Sequence, residues 1–357
     1  SSNGVISCSK SFINPSGAVS VSGRFIGNIY FGGNSISTTA TSYYLLKYDL
    51  EGNEKWIKLV DSPIVDLANE NNSTFVTYGQ NHIAKLDDTT GEILNLKSFF
   101  NLNIKALEIR NSNLYMAGQA NQFESFGSES ETVYKNNGFV LKTDLDFNFN
   151  DLVRLVPSGW NEYYISSIND IRFLSDGSLA ITGVSNNKVL LGLDWERNIS
   201  ANNETNFTTN GGYILLAKIN ENLDNLQWFL TGTNMDSNFN MNVVDDKMEN
   251  LEIFPYGSSW FRVMFKKKIS DNSQFNLPSG PLVSSGRNAV MFIIGHSGAD
   301  FGATDVASSL DESFAYGISS NNTNSFYLNY YKSNTITHVY NENGNWFKAI
   351  LNSEYGS

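Results

Sequence analysis

One cysteine, Cys8, in 357 residues excludes an internal disulfide, so the fold must be held by packing, and Cys8 reads as a buried side chain of the first strand. The three histidines, His82, His296 and His338, share no ligand spacing, and no sequence-local metal site is indicated. Charge is scarce at 17% and one-sided: Lys and Arg number 24 against 36 Asp and Glu, a formal net charge of −12. Nucleic acid and anionic membrane surfaces select a positive footprint, which this balance does not supply. The one basic run, Lys266-Lys267-Lys268, follows the apolar stretch 260–265 and reads as a solvated strand end. No apolar run approaches the ~20 residues of a membrane span, so no membrane insertion is expected. No charged-then-apolar leader opens the chain, and the expectation is that any secretion leader has been removed or that the chain is a piece excised from a longer one.

Asn, Ser and Gly fill the polar positions that charge leaves, and aromatics reach 13%, a composition that suits a β-rich surface protein. The stretch 18–59 alternates apolar and polar residues in three runs, 18–24, 43–50 and 54–60, bounded by Gly, Asn and Asp. That is the pattern of antiparallel sheet. It recurs. A Lys-x-Asp strand end followed by a turn and a hydrophobic strand stands at Lys47-Tyr48-Asp49 before Gly52 and Trp56, and at Lys85-Leu86-Asp87 before Gly91. Further copies are Lys142-Thr143-Asp144, and Lys218-Ile219-Asn220 before Trp228. Looser copies end in Gly298 and Gly344. Before each marker lie two strands joined by a polar turn, as in 107–118 and 171–183, with 64–79 and 11–23 on the same template. Four strands per unit and about six units imply an all-β chain, a β-propeller of about six four-stranded blades. The expected blades are 5–61, 62–101, 102–156, 165–232, 243–308 and 310–351, in a single domain spanning 1–357.

Gly23, Phe25, Gly27, Phe31, Gly32 and Gly33, followed by Lys47, Tyr48, Asp49, Gly52, Asn53 and Trp56, form a run that resembles the bacterial SBBP-type β-propeller repeat. The match is good in the first unit and partial in the third (Gly118, Phe126-Gly127, Lys142, Asp144) and fourth (Gly183, Leu191-Gly192, Lys218, Trp228). The second unit lacks the Phe-Gly loop, and units five and six place Ser297 and Asn341 where Asp would stand. The resemblance implies a propeller in a surface or secreted setting, and it transfers no catalytic residues.

Motifs that carry chemistry are few. Asp144-Leu145-Asp146-Phe147-Asn148-Phe149-Asn150 mimics the start of a calcium loop, but Phe149 stands where such a loop needs Gly and Leu155 where it needs Glu. It reads as a hairpin. The run 48–56 approaches the Asp box of propeller glycosidases with one residue too many between Asp49 and Gly52, and the seven arginines do not cluster. There is no G-x-S-x-G elbow and no H-E-x-x-H. Two carboxylates can converge from different blades without a local motif, so a glycoside-processing enzyme stands as the competing reading. His82 and the aromatics Tyr43, Tyr44, Tyr48 and Trp56 read as packing residues, and the Asn-x-Ser/Thr triplets as products of an Asn-rich composition.

In a blade the first-to-second and third-to-fourth turns leave one end, and the other connections leave the opposite end. The long segments 25–42, 119–137, 157–164, 184–211, 234–243 and 266–287 all fall in the second set. Trp160, Tyr163, Tyr164 and Trp195 on those segments are the candidate partner-binding residues, since aromatics with polar tips give contact area at small entropic cost. The expectation is therefore a non-catalytic binding or display module without a cofactor, part of a larger chain or assembly. It would sit on a cell surface, in the extracellular space or on a virion, as an adhesin or receptor-binding part, and meet a protein or glycan. A purely structural array is the third reading.

Overall fold

The computed structural model describes residues 5–13, 18–31, 34–70, 72–127, 131–157, 165–185, 189–192, 213–233, 248–256, 260–267, 273–277, 280–284, 289–295, 300–307, 314–321, 325–332, 335–342 and 345–352. Their regular structure is strand. The first sheet contains β1 (Val5–Ile13), β2 (Val19–Phe31), β3 (Asn34–Tyr48) and β4 (Glu54–Val60). The second contains β5 (Ile64–Glu70), β6 (Ser73–Tyr78), β7 (His82–Asp87) and β8 (Ile93–Ser98). The third is built on β9 (Leu102–Arg110), β10 (Asn113–Ala120), β13 (Gly138–Asp144) and β14 (Phe149–Pro157), with the short ribbon β11 (Glu124–Ser125) and β12 (Thr132–Val133) between its second and third strands. The fourth contains β15 (Ser166–Phe173), β16 (Leu179–Ser185), β18 (Tyr213–Ile219) and β19 (Leu226–Thr233), and β17 (Val189–Gly192) leaves it to pair elsewhere. The fifth contains β20 (Met248–Tyr256), β21 (Trp260–Lys267), β24 (Ala289–Gly295) and β25 (Asp300–Ala307), with the ribbon β22 (Ser273–Leu277) and β23 (Gly280–Ser284) inserted. The sixth contains β26 (Phe314–Asn321), β27 (Ser325–Lys332), β28 (Thr335–Glu342) and β29 (Asn345–Asn352).

Six antiparallel meanders of four sequential strands make this a β-propeller. Each blade takes its four meander strands in chain order, with β17 added at the edge of the third sheet, and among the described residues no sheet combines β1–β4 with β26–β29. The chain divides into two compact units, 1–124 with 141–150, and 125–140 with 151–357. Within the first unit β5 lies against β9; within the second, β15 lies against β20 and β20 against β26. At these three junctions the first strands of successive blades are neighbours.

One irregularity recurs in all six blades. The pairing of the first and second strands shifts register once, between Cys8 and Lys10, Ile64 and Asp66, Ile104 and Ala106, Ile168 and Asp170, Glu249 and Glu252, and Ala315 and Gly317. Each bulge bends the first strand and re-aims the residue that follows it. In the second blade that residue is Asp66, 1% exposed, whose carboxylate accepts the backbone N–H of Leu107 in β9 at 2.7 Å. In the fourth it is Asp170, whose carboxylate accepts the N–H of Ile253 in β20 at 2.7 Å and that of Ile171 at 2.9 Å. A buried carboxylate is tolerable when amide donors surround it, and these two staple one blade to the next.

The bulge also accounts for a glycine within the second strand. A Cβ on Gly23, Gly118 or Gly183 would lie 1.9, 1.9 or 2.3 Å from the carbonyl oxygen of Ser7, Asn103 or Ser167 across the ladder. In the second blade the register places Tyr78 opposite Ile64, so Gly79, which looked like the matching glycine, belongs instead to the turn, at φ +59°.

The Lys-x-Asp marker is the second device between blades. Lys47, 1% exposed, donates to the Asp88 carboxylate in the next blade's turn at 2.9 Å, and the Trp56 indole N–H donates to the Asp88 carbonyl at 3.0 Å. Gly91 in that turn lies flat on Trp56, and a Cβ there would stand 2.7 Å from the ring. Lys85 repeats the contact with Asp146 at 3.1 Å. Tyr44 is buried with its hydroxyl donating to the Ser7 carbonyl at 3.2 Å. These aromatics pack, as the sequence suggests.

The connection 25–42 is not a loop. β2 and β3 continue as a paired ribbon out to Phe31 and Asn34, past a shift between Phe25 and Gly27. Gly27 takes φ 93° at that bend. Phe31 is buried and meets Tyr48 edge-on with ring centroids 6.2 Å apart. The ladder of the extension pairs Gly27 with Thr38, Ile29 with Ile36 and Phe31 with Asn34, which the polar residues of 32–42 conceal in the sequence.

Candidate functional site

At the end holding the third-to-fourth turns, the marker aspartates are caps. Asp49 accepts the N–H of Asn53 at 2.7 Å and its side-chain amide at 3.1 Å. Asp87 accepts the N–H groups of Thr89 and Thr90. Asp144 accepts the N–H groups of Asp146 and Asn148, both at 2.9 Å, and the Asn148 side-chain amide at 2.8 Å. Asn220 plays the same part for Asp224 and Asn225. The Asp-x-Asp run beginning at Asp144 is therefore a hairpin whose first carboxylate is committed to the turn. Among the described residues no group of three or more His, Cys, Asp or Glu could hold a metal ion.

Hydrogen bonds from Thr90 and Thr89 hold the Asp87 carboxyl below the usual carboxylate range. At Asp176, in the first-to-second turn of the fourth blade, partial burial acts to raise the carboxyl. The Lys218 ammonium at 2.6 Å and the Ser178 hydroxyl and amide outweigh it and hold the group well below that range. The sign follows: the unfolded carboxyl titrates near pH ~3.9. The stabilisation is therefore complete above that pH and is lost as pH falls through the depressed folded value. With Asp176 40% exposed, Asp176→Asn is expected to cost only about 0.5–1 kcal/mol near neutrality after solvent screening. Urea unfolding at intervals from pH 7 to pH 2 should show the gap between parent and variant closing as acid is added. A constant gap would remove the carboxylate from the account.

The opposite end carries the insertions, and besides 25–42 three more contain paired strand. Segment 119–137 contains the β11–β12 ribbon and 266–287 the β22–β23 ribbon. Segment 184–211 begins within β16 and then sends β17 back to the preceding blade. There Val189, Leu190, Leu191 and Gly192 pair antiparallel with Pro157, Val156, Leu155 and Arg154 of β14. Leu191-Gly192 is thus an edge-covering strand. Sequence could not reveal this, because a four-residue apolar run does not say which edge it joins. Trp160, Tyr163, Tyr164 and Trp195 lie outside the described residues, as does the connection 234–243.

Two carboxylates are buried among the described residues, Asp66 and Asp170; both accept backbone amides, and Asp170 also meets the Arg172 guanidinium at 3.5 Å. His82 stacks on Tyr78 with ring centroids 5.3 Å apart and its Nδ1 lies 2.8 Å from the Ser98 hydroxyl. His82 and Ser98 are direct partners across the β7–β8 ladder, so the distance follows from sheet register, and it makes a cross-strand pair of a kind sheets use for stability.

No family model matches the chain, and no curated protein matches it. Among solved structures it is similar to the β-propeller domain of Cps50 (Swd1) from Myceliophteria thermophila, at 10% identity over 99% of this chain and 89% of that one, with a TM-score of 0.49. It is similar to the WD40 domain of coronin from Toxoplasma gondii, at 8% identity over 93% and 68%, with a TM-score of 0.47. It also resembles the quinohemoprotein alcohol dehydrogenase from Comamonas testosteroni, at 10% identity over 75% and 42%, with a TM-score of 0.41. Similarities this low carry no argument about function, and the sheets themselves establish the chain as a β-propeller.

Proposed function

We propose that this propeller is a non-catalytic binding or display module that presents the insertion-bearing ends of its blades to a protein or glycan. One observation carries the reading. The turns at one end are short and closed on themselves by Asp49, Asp87, Asp144 and Asn220, while the added length of the chain lies at the other. Binding residues concentrate where variable connections stand on a rigid scaffold. The commitment of Asp66 and Asp170 to backbone amides favours this over a glycoside-processing enzyme, whose chemistry needs carboxylates free to trade protons. The cell-surface, secreted or virion-surface setting, with an adhesin or receptor-binding role, follows from the SBBP-type run at Gly23–Trp56.

The test uses the purified chain on a glycan array and on immobilised cell-surface protein, with a glycosidase substrate panel in parallel. Alanine at Trp160 and at Trp195 is expected to weaken attachment about tenfold or more each, as for aromatic contact residues. Alanine at Asp176, on the opposite end, should leave it unchanged. Normal binding by the folded tryptophan variants would overturn the choice of end, and turnover of any glycan abolished by one carboxylate substitution would overturn the class.

A further inference from the structure

The first unit holds a crevice of about 280 Å3 between its first two blades, lined mostly by aliphatic side chains with Lys58, Asp61 and Tyr78 among them. Leu45, Val76, Ala84 and Leu86 form its floor, and β4 and Ile93 of β8 its walls. Its rim is exposed: Leu59 is 42% accessible, Ile93 46% and the neighbouring Leu96 50%. Aliphatic side chains this open on two adjacent outer strands are an unsatisfied surface.

The chain itself shows what such a place accepts. Asp49 with Asn53 and Asp144 with Asn148 close the same kind of turn, so the strands that follow can be aligned from those caps. Leu59, Val60 and Asp61 then match Arg154, Leu155 and Val156. In the third blade those three residues pair with β17, the Val-Leu-Leu-Gly segment that the following blade sends back. At the next junction β22, again from the following blade, lies against β19. In the second blade the corresponding connection is only the turn between Tyr78 and His82, too short to return to β4. β4 is consequently the last strand of its sheet, and Leu59, Val60 and Asp61 all line the crevice.

We propose that this crevice is a strand-addition site for an extended segment of another polypeptide with two or three consecutive aliphatic residues. Its backbone pairs antiparallel with the end of β4 and its side chains enter between Leu59 and Ile93. Main-chain pairing supplies affinity and the apolar floor supplies selectivity, the division of labour usual in β-augmentation. The site includes the place where β4 runs on toward β5, at the insertion-bearing end of the first blade, and its peptide test involves neither Trp160 nor Trp195, so its failure is distinguishable from failure of the function proposed for that end.

The probe is a fluorescent peptide of residues 188–194, Lys-Val-Leu-Leu-Gly-Leu-Asp, titrated with the full chain and read by anisotropy. Saturable binding is expected, weakened about tenfold or more by Leu59→Ser or Ile93→Ser, the order set by losing one buried aliphatic contact. Leu50→Ser, at a turn residue that is 69% exposed, should not alter it. A peptide N-methylated at every residue should fail to bind, because neither of its edges can donate to a strand. Urea midpoints equal to that of the parent show that the variants fold. Absence of saturable binding, indifference to both crevice substitutions, or equal binding of the N-methylated peptide would each overturn the proposal. So would self-association by sedimentation that the crevice substitutions abolish while the peptide does not bind, since the occupant would then be a second copy of the chain.

Discussion

Asp66→Ala is expected to lower folding stability by about 2–4 kcal/mol, the range for removing a buried charged acceptor and stranding its donor. The Leu107 N–H donates to the Asp66 carboxylate at 2.7 Å with Asp66 only 1% exposed, so water cannot take over the acceptor's place. Asp66→Asn keeps an oxygen in reach but loses the charge, and should fall between parent and alanine variant. Urea unfolding gives the stability. Amide exchange at Leu107 gives the site, because its N–H should lose protection ahead of others in β9. A cost under about 0.5 kcal/mol, the size of an ordinary surface substitution, would show that the staple is incidental.

Gly118→Ala should be at least as damaging. Its Cβ would sit 1.9 Å from the Asn103 carbonyl oxygen, 2.9 Å from the carbonyl carbon and 3.1 Å from the Ile104 Cα. All three are backbone atoms, so no side chain can turn aside, and the strands must part at the bulge that joins them. Overpacking in a core costs about 1–3 kcal/mol when side chains can adjust, and this site has no such relief. The measurement is the urea midpoint or, for a variant that does not accumulate, the soluble fraction on expression. Gly52→Ala is the control. Gly52 has φ +81° but open space around it, so only left-handed strain of about 1–2 kcal/mol is charged to it. Equal losses at the two positions would mean that backbone conformation, and not the close approach, accounts for the glycine of the repeat.

These two residues also show where the sequence is legible. Glycine recurs at Gly23, Gly118 and Gly183 and can be found by comparing units, yet its reason, a carbonyl across a bulge, exists only once the strands are paired. The staple position is harder to find. It carries Lys10, Asp66, Ala106, Asp170, Glu252 and Gly317 in the six blades, so no residue type marks it. The Lys-x-Asp marker was plain as a repeat. That its lysine reaches into the turn of the next blade, as Lys47 does to Asp88, could not be read from spacing within one unit.

Sequence alone determined the class of this protein: alternation with period two, turn residues at regular intervals and a marker repeated along the chain dictate sequential antiparallel meanders. It also determined that packing without disulfides holds them. Only the tertiary structure decided which connections are loops and which are strands. The polar ribbon of β2 and β3 and the short β17 owe their form to partners distant in sequence, and local propensity carries no information about those. It likewise decided that Leu59 and Ile93 face an open crevice while the matched strand of the third blade is covered. An apolar residue in an outer strand reads the same in sequence whether or not another segment comes to lie upon it.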